Sequence, residues 1–245
     1  MSERRYKYPT IVEAVFELRF PVASSWGIGS FVEFVGLAKQ LGYPKLVDAA
    51  QGFQVTFPVS GGGAPVTVPV ANRVQTWNEE GTQLWQASPQ MYAANRRAPY
   101  EGWKKFRPHI LQGLELYRQV TKPEQAEALV MQYINRIEVD VEHSRPSNFA
   151  LFLPPEIQYA DGINNFVCRT EQSFEDGGRI AVTSARDMSV PSGVAVVLDI
   201  HYTASQPELE QSALESAIDK AHSRIIDAFE KSITESLRER MEPIC

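Results

Sequence analysis

The sequence predicts an α+β fold with about eight mainly antiparallel strands in two similar halves and a long C-terminal helix. Apolar and polar residues alternate over 11–20 and 129–142, which is the period of a strand with one covered face. Residues 52–92 are rich in β-branched and aromatic residues between glycine-containing loops, as in hairpins. From about 207 to 240, apolar residues recur every three or four positions, as on a helix with one buried side.

The first half follows the strand at 11–20 with a short helix, a group of strands and a second helix. Apolar residues at helical spacing over 31–41 predict the first helix, which Gly42 and Pro44 should end. Two or three strands are predicted over 52–92, and a helix over about 100–120 follows them.

The second half has a similar order of elements. After 129–142, alternation predicts strands near 163–174, 178–187 and 193–203, followed by the terminal helix. This order predicts one domain, 1–245, in which 9–120 and 128–241 are related halves.

The terminal helix is predicted to begin near Pro207, because Ser205 and Glu208 have capping-box spacing. A helix running to about Arg240 would be roughly 50 Å long, so its end could extend beyond the sheet. Ile233 and Leu237 would then be exposed, which predicts a protein partner or self-association through the C-terminal helix.

Composition limits the classes of function. With 43% hydrophobic and 22% charged residues, the 245-residue chain has the balance of a globular protein. Its net charge of −6 argues against nucleic-acid binding through overall charge. Because the N-terminus lacks an apolar stretch and no long apolar run follows, the expected location is cytoplasmic, without a membrane. Two dispersed cysteines and four histidines without zinc spacing predict no metal and no cofactor.

The first strand carries charged residues on its polar side, and other strands add to them. One sheet face is predicted to collect Glu13, Glu17, Arg19, Arg136, Glu138, Asp140, Arg169, Glu171, Asp199 and His201. Cross-strand ion pairs are the favoured interpretation. The alternative is a nearly closed barrel in which carboxylates hold a divalent metal and arginines bind phosphates.

Basic and aromatic residues are interleaved in "NRRAPYEGWKKFRPH". The candidate binding residues there are Arg96, Arg97, Tyr100, Trp103, Lys104 and Lys105. Single-stranded nucleic acid or a nucleotide could use such a surface, but a helix with a solvated basic side is favoured.

Asn135 breaks the alternation of its strand, because its position falls on the apolar face. A buried amide must find hydrogen-bond partners, so a structural role is favoured over a ligand contact. Its neighbour Arg136 falls on the polar face.

Five segments resemble, in order, a sporadically distributed prokaryotic family of unassigned function. They are "PTIVEAVFELRF", "PYEGWKKFRPHILQGLELY", "QYINRIEV", "VVLDI" and "AHSRIIDAFEKSITESLRERM". The positions that match the pattern are Glu13, Glu17, Arg19, Tyr100, Trp103, Tyr133, Asn135 and Arg136. The resemblance implies a cytosolic accessory or defence-type protein and supplies no catalytic residues.

We therefore predict a non-catalytic binding or regulatory accessory protein that acts with a protein partner, with enzymatic activity left open. The alternative is a metal-dependent phosphohydrolase on a nucleotide or triphosphate. The first strand and "RIEVDVEH" faintly resemble triphosphate-tunnel enzymes, although Glu13 and Glu17 are too widely spaced for their signature. Nucleic-acid binding is open but not favoured.

Overall fold

A computed structural model describes residues 5–21, 26–49, 52–56, 66–70, 73–139, 167–187 and 194–244. Its helices are α1 (Ile28–Gln40), α2 (Trp103–Thr121), α3 (Gln211–Ser232) and α4 (Glu235–Met241). The strands of the first half are β1 (Arg5–Tyr6), β2 (Ile11–Arg19), β3 (Lys45–Ala49), β4 (Gly52–Thr56), β5 (Val66–Val70), β6 (Arg73–Trp77), β7 (Gln83–Ser88) and β8 (Met91–Arg97). The strands of the second half are β9 (Ala128–Val139), β10 (Val167–Ser173), β11 (Arg179–Asp187), β12 (Val194–Ser205) and β13 (Pro243–Ile244).

Nine strands form one large antiparallel sheet in the order β10-β11-β12-β9-β2-β8-β7-β6-β3. The predicted α+β class with an antiparallel sheet is confirmed, but the estimate of about eight strands was too low for this sheet. β3 lies outside the strands that the sequence predicted, because it has no clear alternation, and β8 was not separated from β7, because it ends in the basic residues Arg96 and Arg97.

The first strands of the two predicted halves, β2 and β9, pair at the centre of the sheet. From this pair, the sheet continues through β8, β7 and β6 on one side and through β12, β11 and β10 on the other. The pairing shifts register between Ile11 and Glu13, close to the site described below.

The helices cover one face of the sheet. Phe16 on β2, Tyr92 on β8 and Leu198 on β12 are fully buried on this face and belong to one core with Ile110 of α2 and Ile218 of α3. The opposite face carries Glu13, Glu17, Arg19, Arg136 and Asp199, as the alternation predicted. None of the helices in the described part of the chain combines the length and the apolar character needed to span a bilayer.

The predicted long C-terminal helix is two helices. α3 begins at Gln211, where the side chain of Glu210 accepts a hydrogen bond from the Ala213 backbone, rather than near Pro207. It ends at Ser232, and Ile233 is extended before α4 begins. The expectation that Ile233 and Leu237 are exposed is wrong, because both are buried in the core. This result removes the structural reason for placing a partner at the end of a protruding helix.

Candidate functional site

A cavity of about 420 Å³ lies where the central strands, α3 and the two ends of the described chain meet. We call it the junction cavity. Its walls come from Arg5–Ile11, from the loop Pro99–Gly102, from Tyr133 and Asn135 of β9, from α3 at Ile225–Glu230, and from Met241 and Ile244. Four of the five segments singled out in the sequence therefore contribute to one cavity.

Polar contacts hold the loop between β8 and α2 in place. Arg96, which is almost completely buried, forms an ion pair with Glu101. The Tyr100 hydroxyl lies 2.8 Å from the Tyr133 hydroxyl. Gly102 precedes α2 with φ of 91°, a conformation that glycine adopts without strain. Glycine at this position lets the chain turn into α2 while Tyr100 faces the cavity.

Three polar side chains are connected from the cavity wall towards α3. Besides contacting Tyr100, the Tyr133 hydroxyl lies 3.0 Å from Nδ1 of His222. The His222 ring stacks on Trp103 with a centroid distance of 4.0 Å and an angle of 5°. This arrangement fixes the positions of two predicted residues, Tyr100 on the cavity wall and Trp103 behind it.

Asn135 is 1% exposed and is held by several hydrogen bonds. Its Nδ2 donates to the Leu198 carbonyl at 3.2 Å, and its Oδ1 accepts from the Thr10 hydroxyl at 3.0 Å. The buried, hydrogen-bonded position expected from the sequence is therefore observed. The same residue also lines the junction cavity, so the two interpretations of Asn135 do not exclude each other.

The ends of the described chain close one side of the cavity. β1 pairs with β13, and the Tyr6 hydroxyl donates to Glu230 of α3 at 2.6 Å. Glu230 also accepts from Nε of Arg238 at 3.0 Å. A 2.8 Å bond from Lys7 to Glu242 raises the pKa of Lys7. These contacts connect α3, α4 and both terminal strands.

The predicted basic and aromatic cluster is divided in the structure. Arg96 is buried and therefore does not belong to the positive surface that the sequence suggested, and burial lowers its pKa. Arg97 lies over the Trp77 ring at 4.6 Å from its centroid and 3.8 Å from Glu13. Lys104 and Lys105 are exposed at the start of α2. Lys104 and Lys105 therefore form a small basic surface, and the predicted cluster does not form a continuous one.

Charged residues on the face of the sheet opposite the helices are paired with neighbours. Arg19 forms an ion pair with Glu17. Arg136 lies on this face and contacts Asp187 at 2.8 Å and Glu138 at 3.0 Å.

Glu13 ends a row of polar side chains that crosses four strands. It accepts a 2.8 Å hydrogen bond from Asn95 on β8. The row continues from Asn95 to Gln86 at 2.6 Å and from Gln86 to Gln75 at 3.0 Å.

Two ionisable groups on β12 are affected by burial. Burial raises the pKa of Asp199, which accepts a hydrogen bond from Gln132 at 2.9 Å. Burial lowers the pKa of His201. No group of three or more metal-ligating side chains occurs within the described residues, and Asp140 of the predicted charged set lies outside them.

Sequence reasoning missed several residues of the junction cavity. Arg5 and Tyr6 gave no signal, because two residues are too few to show alternation. Ile225 and Phe229 were recognised only as part of an apolar stripe, and Ile226 beside them was not noticed. Their helical spacing was visible, but the helix alone could not show that this stretch faces a cavity.

No protein-family model, curated protein or solved structure matches the chain. Its function is therefore inferred from the geometry of the junction cavity and of the sheet.

Proposed function

We propose that this chain is a cytoplasmic, non-catalytic binding or regulatory accessory protein that holds a small organic ligand in the junction cavity and acts with a protein partner. One observation carries the proposal: the cavity has apolar walls, a few convergent polar groups, and a volume of about 420 Å³. Binding sites for small molecules have this combination, with volumes of roughly 300–1,000 Å³.

The walls support binding through burial of apolar surface. Ile11, Ile225 and Phe229 approach the cavity from the sheet and from α3, so an apolar ligand would be removed from water on two sides. Asn135, the neighbour of Ile11 across β2 and β9, and Tyr100 from the loop before α2 add polar groups to the cavity wall. Because these side chains are already held by hydrogen bonds, they would orient a ligand at little cost in conformational entropy.

The terminal strands support a regulatory role. A ligand in the cavity would contact both β1 and β13, and anything that binds the folded arrangement stabilises it. Occupancy would therefore strengthen the pairing of the two strands and alter the surface they present to a partner protein. If the partner is a second copy of this chain, light scattering should show a mass above the 27.5 kDa of one chain.

The two other predicted functions have less support. Nine of the thirteen described strands form a sheet whose edges, within the described residues, are β10 and β3. The carboxylates of Glu13 and Glu17 accept hydrogen bonds from Asn95 and Arg19. No observation therefore favours the phosphohydrolase. The divided basic cluster likewise gives little support to nucleic-acid binding.

The test fills the cavity with a larger side chain. N-phenyl-1-naphthylamine, an uncharged probe that fluoresces in apolar sites, should bind the wild-type chain. Ile226→Trp on the cavity wall should abolish the signal by occupying the space. Val32→Trp on the exposed side of α1 is the matched control and should leave binding unchanged. Equal fluorescence in all three folded proteins would refute the proposal.

A further inference from the structure

We infer that the ligand of the junction cavity is an amphipathic organic anion, with an apolar body between the sheet and α3 and one acidic head group at Arg5. This inference rests on the proposed function, because it assigns a chemical class to the ligand of that site.

The charged side chains around the cavity indicate the charge of the head group and where it would bind. Four ionisable side chains with a formal charge line it: Arg5, Lys7, Glu101 and Glu230. Glu101 is paired with the buried Arg96. Glu230 accepts hydrogen bonds from Tyr6 and Arg238. Both carboxylates are therefore already matched, and neither is left to attract a cationic ligand.

The two basic side chains differ from the carboxylates. Lys7 is paired with Glu242, but both side chains are more than half exposed. Arg5 is exposed on β1 and has no ion pair or side-chain hydrogen bond within the part of the chain that the structure describes. A guanidinium can donate two parallel hydrogen bonds to a carboxylate or a similar group, so the unmatched charge at the rim favours an anion.

The walls determine the body of the ligand. Ile11, Ile225, Phe229 and Met241 contribute apolar surface, against which a small, fully hydrated anion would lose water without compensation. An aromatic or aliphatic body avoids this penalty and buries apolar area instead. The head group can stay at the rim, where solvent reaches both Arg5 and the anion.

The experiment compares two probes that share an aromatic skeleton and differ in charge. 1-Anilino-8-naphthalenesulfonate carries a sulfonate, and N-phenyl-1-naphthylamine has none. Arg5→Gln should weaken binding of the sulfonate by up to about fivefold, the upper end for an exposed ion pair, and leave the neutral probe unchanged. Lys39→Gln, an exposed charge on α1, is the matched control and should affect neither probe. Added salt should weaken the binding of the sulfonate probe and leave the binding of the neutral probe unchanged.

The outcomes separate the two proposals. If Ile226→Trp abolishes binding of both probes while Arg5→Gln does not change sulfonate affinity, the anion inference is overturned and the cavity remains a ligand site. If Arg5→Gln weakens both probes equally, the residue supports β1 rather than a head group, and the inference is again overturned. If Ile226→Trp affects neither probe, the proposed function itself fails.

Discussion

Glu13, Glu17 and Arg19 project from the same face of β2, but their surroundings differ. Glu17 pairs with Arg19, and 41% of the Arg19 side chain is exposed. Glu13 accepts a hydrogen bond from Asn95, which is 6% exposed. Glu13 therefore satisfies a buried donor, whereas Glu17, whose side chain is 21% exposed, pairs with a partner that water reaches.

Replacing these two carboxylates should have unequal effects on stability. Glu17→Ala should lower the free energy of unfolding by less than about 1 kcal/mol, because exposed ion pairs contribute little. Glu13→Ala should lower it by roughly 1–3 kcal/mol, because the buried Asn95 amide loses its acceptor. Urea unfolding at neutral pH measures both. Glu13→Gln keeps an acceptor oxygen and should therefore retain most of the stability. Equal effects of the two alanine variants would contradict this prediction and show that water satisfies the Asn95 amide.

For single residues, the sequence indicated which face of the sheet a side chain lies on, but not which residues that side chain contacts. Alternation correctly placed Glu13 on the polar face and Asn135 on the apolar face. The contact between Glu13 and Asn95 joins positions 82 apart, and no local pattern indicates which strand will lie beside β2. The cavity contact of Arg5 was hidden for the same reason.

Among the elements, α2 lies close against the sheet at Gly113. A Cβ atom at this position would overlap the Trp85 ring and the Tyr92 hydroxyl. Both are buried and are held by hydrogen bonds to the α2 backbone, at the carbonyls of His109 and Ile110. Glycine is therefore required at Gly113 by the packing of the helix against β7 and β8.

Adding one methyl group should have opposite effects on two helices. Gly113→Ala should destabilise the chain by about 1–3 kcal/mol, the usual cost of overpacking, despite the better helix propensity of alanine. Gly36→Ala in α1 is the matched control, because nothing lies within 4 Å of its Cβ position. It should stabilise by about 0.5–1 kcal/mol. Thermal unfolding followed by circular dichroism distinguishes them, and a stable Gly113→Ala variant would contradict the close approach.

The sequence predicted that these helices exist, but it predicted less well where each helix begins and ends. The apolar stripe continues through Ile233 and Leu237, because α3 and α4 bury the same side of the chain, so spacing alone concealed the break. Thr234 was the overlooked signal: its side chain accepts a hydrogen bond from the Leu237 backbone at the start of α4. A capping residue inside an apolar stripe indicates a new helix.

For the whole molecule, the sheet depends on pairings between distant parts of the chain. β2 lies between β8 and β9, and the terminal strands β1 and β13 also pair. The fold class followed from periodicity, but the order of the strands did not, because pairing is set by long-range packing. The junction cavity exists only where these long-range contacts meet, which is why its walls could be named from the sequence only in part.

The stability of the whole chain should depend on pH through His109. The residue lies on α2 and is 5% exposed, and burial lowers its pKa to about 3. Its Nε2 donates to the Asn95 carbonyl at 3.2 Å, and its Nδ1 lies 2.8 Å from the Tyr43 hydroxyl. In the unfolded chain the pKa should be near 6.5. Between these values the unfolded chain binds a proton that the folded chain does not.

The free energy of unfolding should therefore fall as the pH drops below about 6.5. His109 contributes up to about 1.4 kcal/mol per pH unit to this loss, until the pH reaches the pKa of His109 in the folded chain. Urea unfolding of wild type and His109→Gln at pH 7 and pH 4.5 tests this. The wild type should lose about 2–3 kcal/mol more than the variant between the two conditions. Other groups, such as Asp176, whose pKa is lowered by its hydrogen bond to Arg224, contribute to both proteins and cancel in the comparison. An identical loss in both proteins would mean that His109 is protonated, or accessible to protons, in the folded chain.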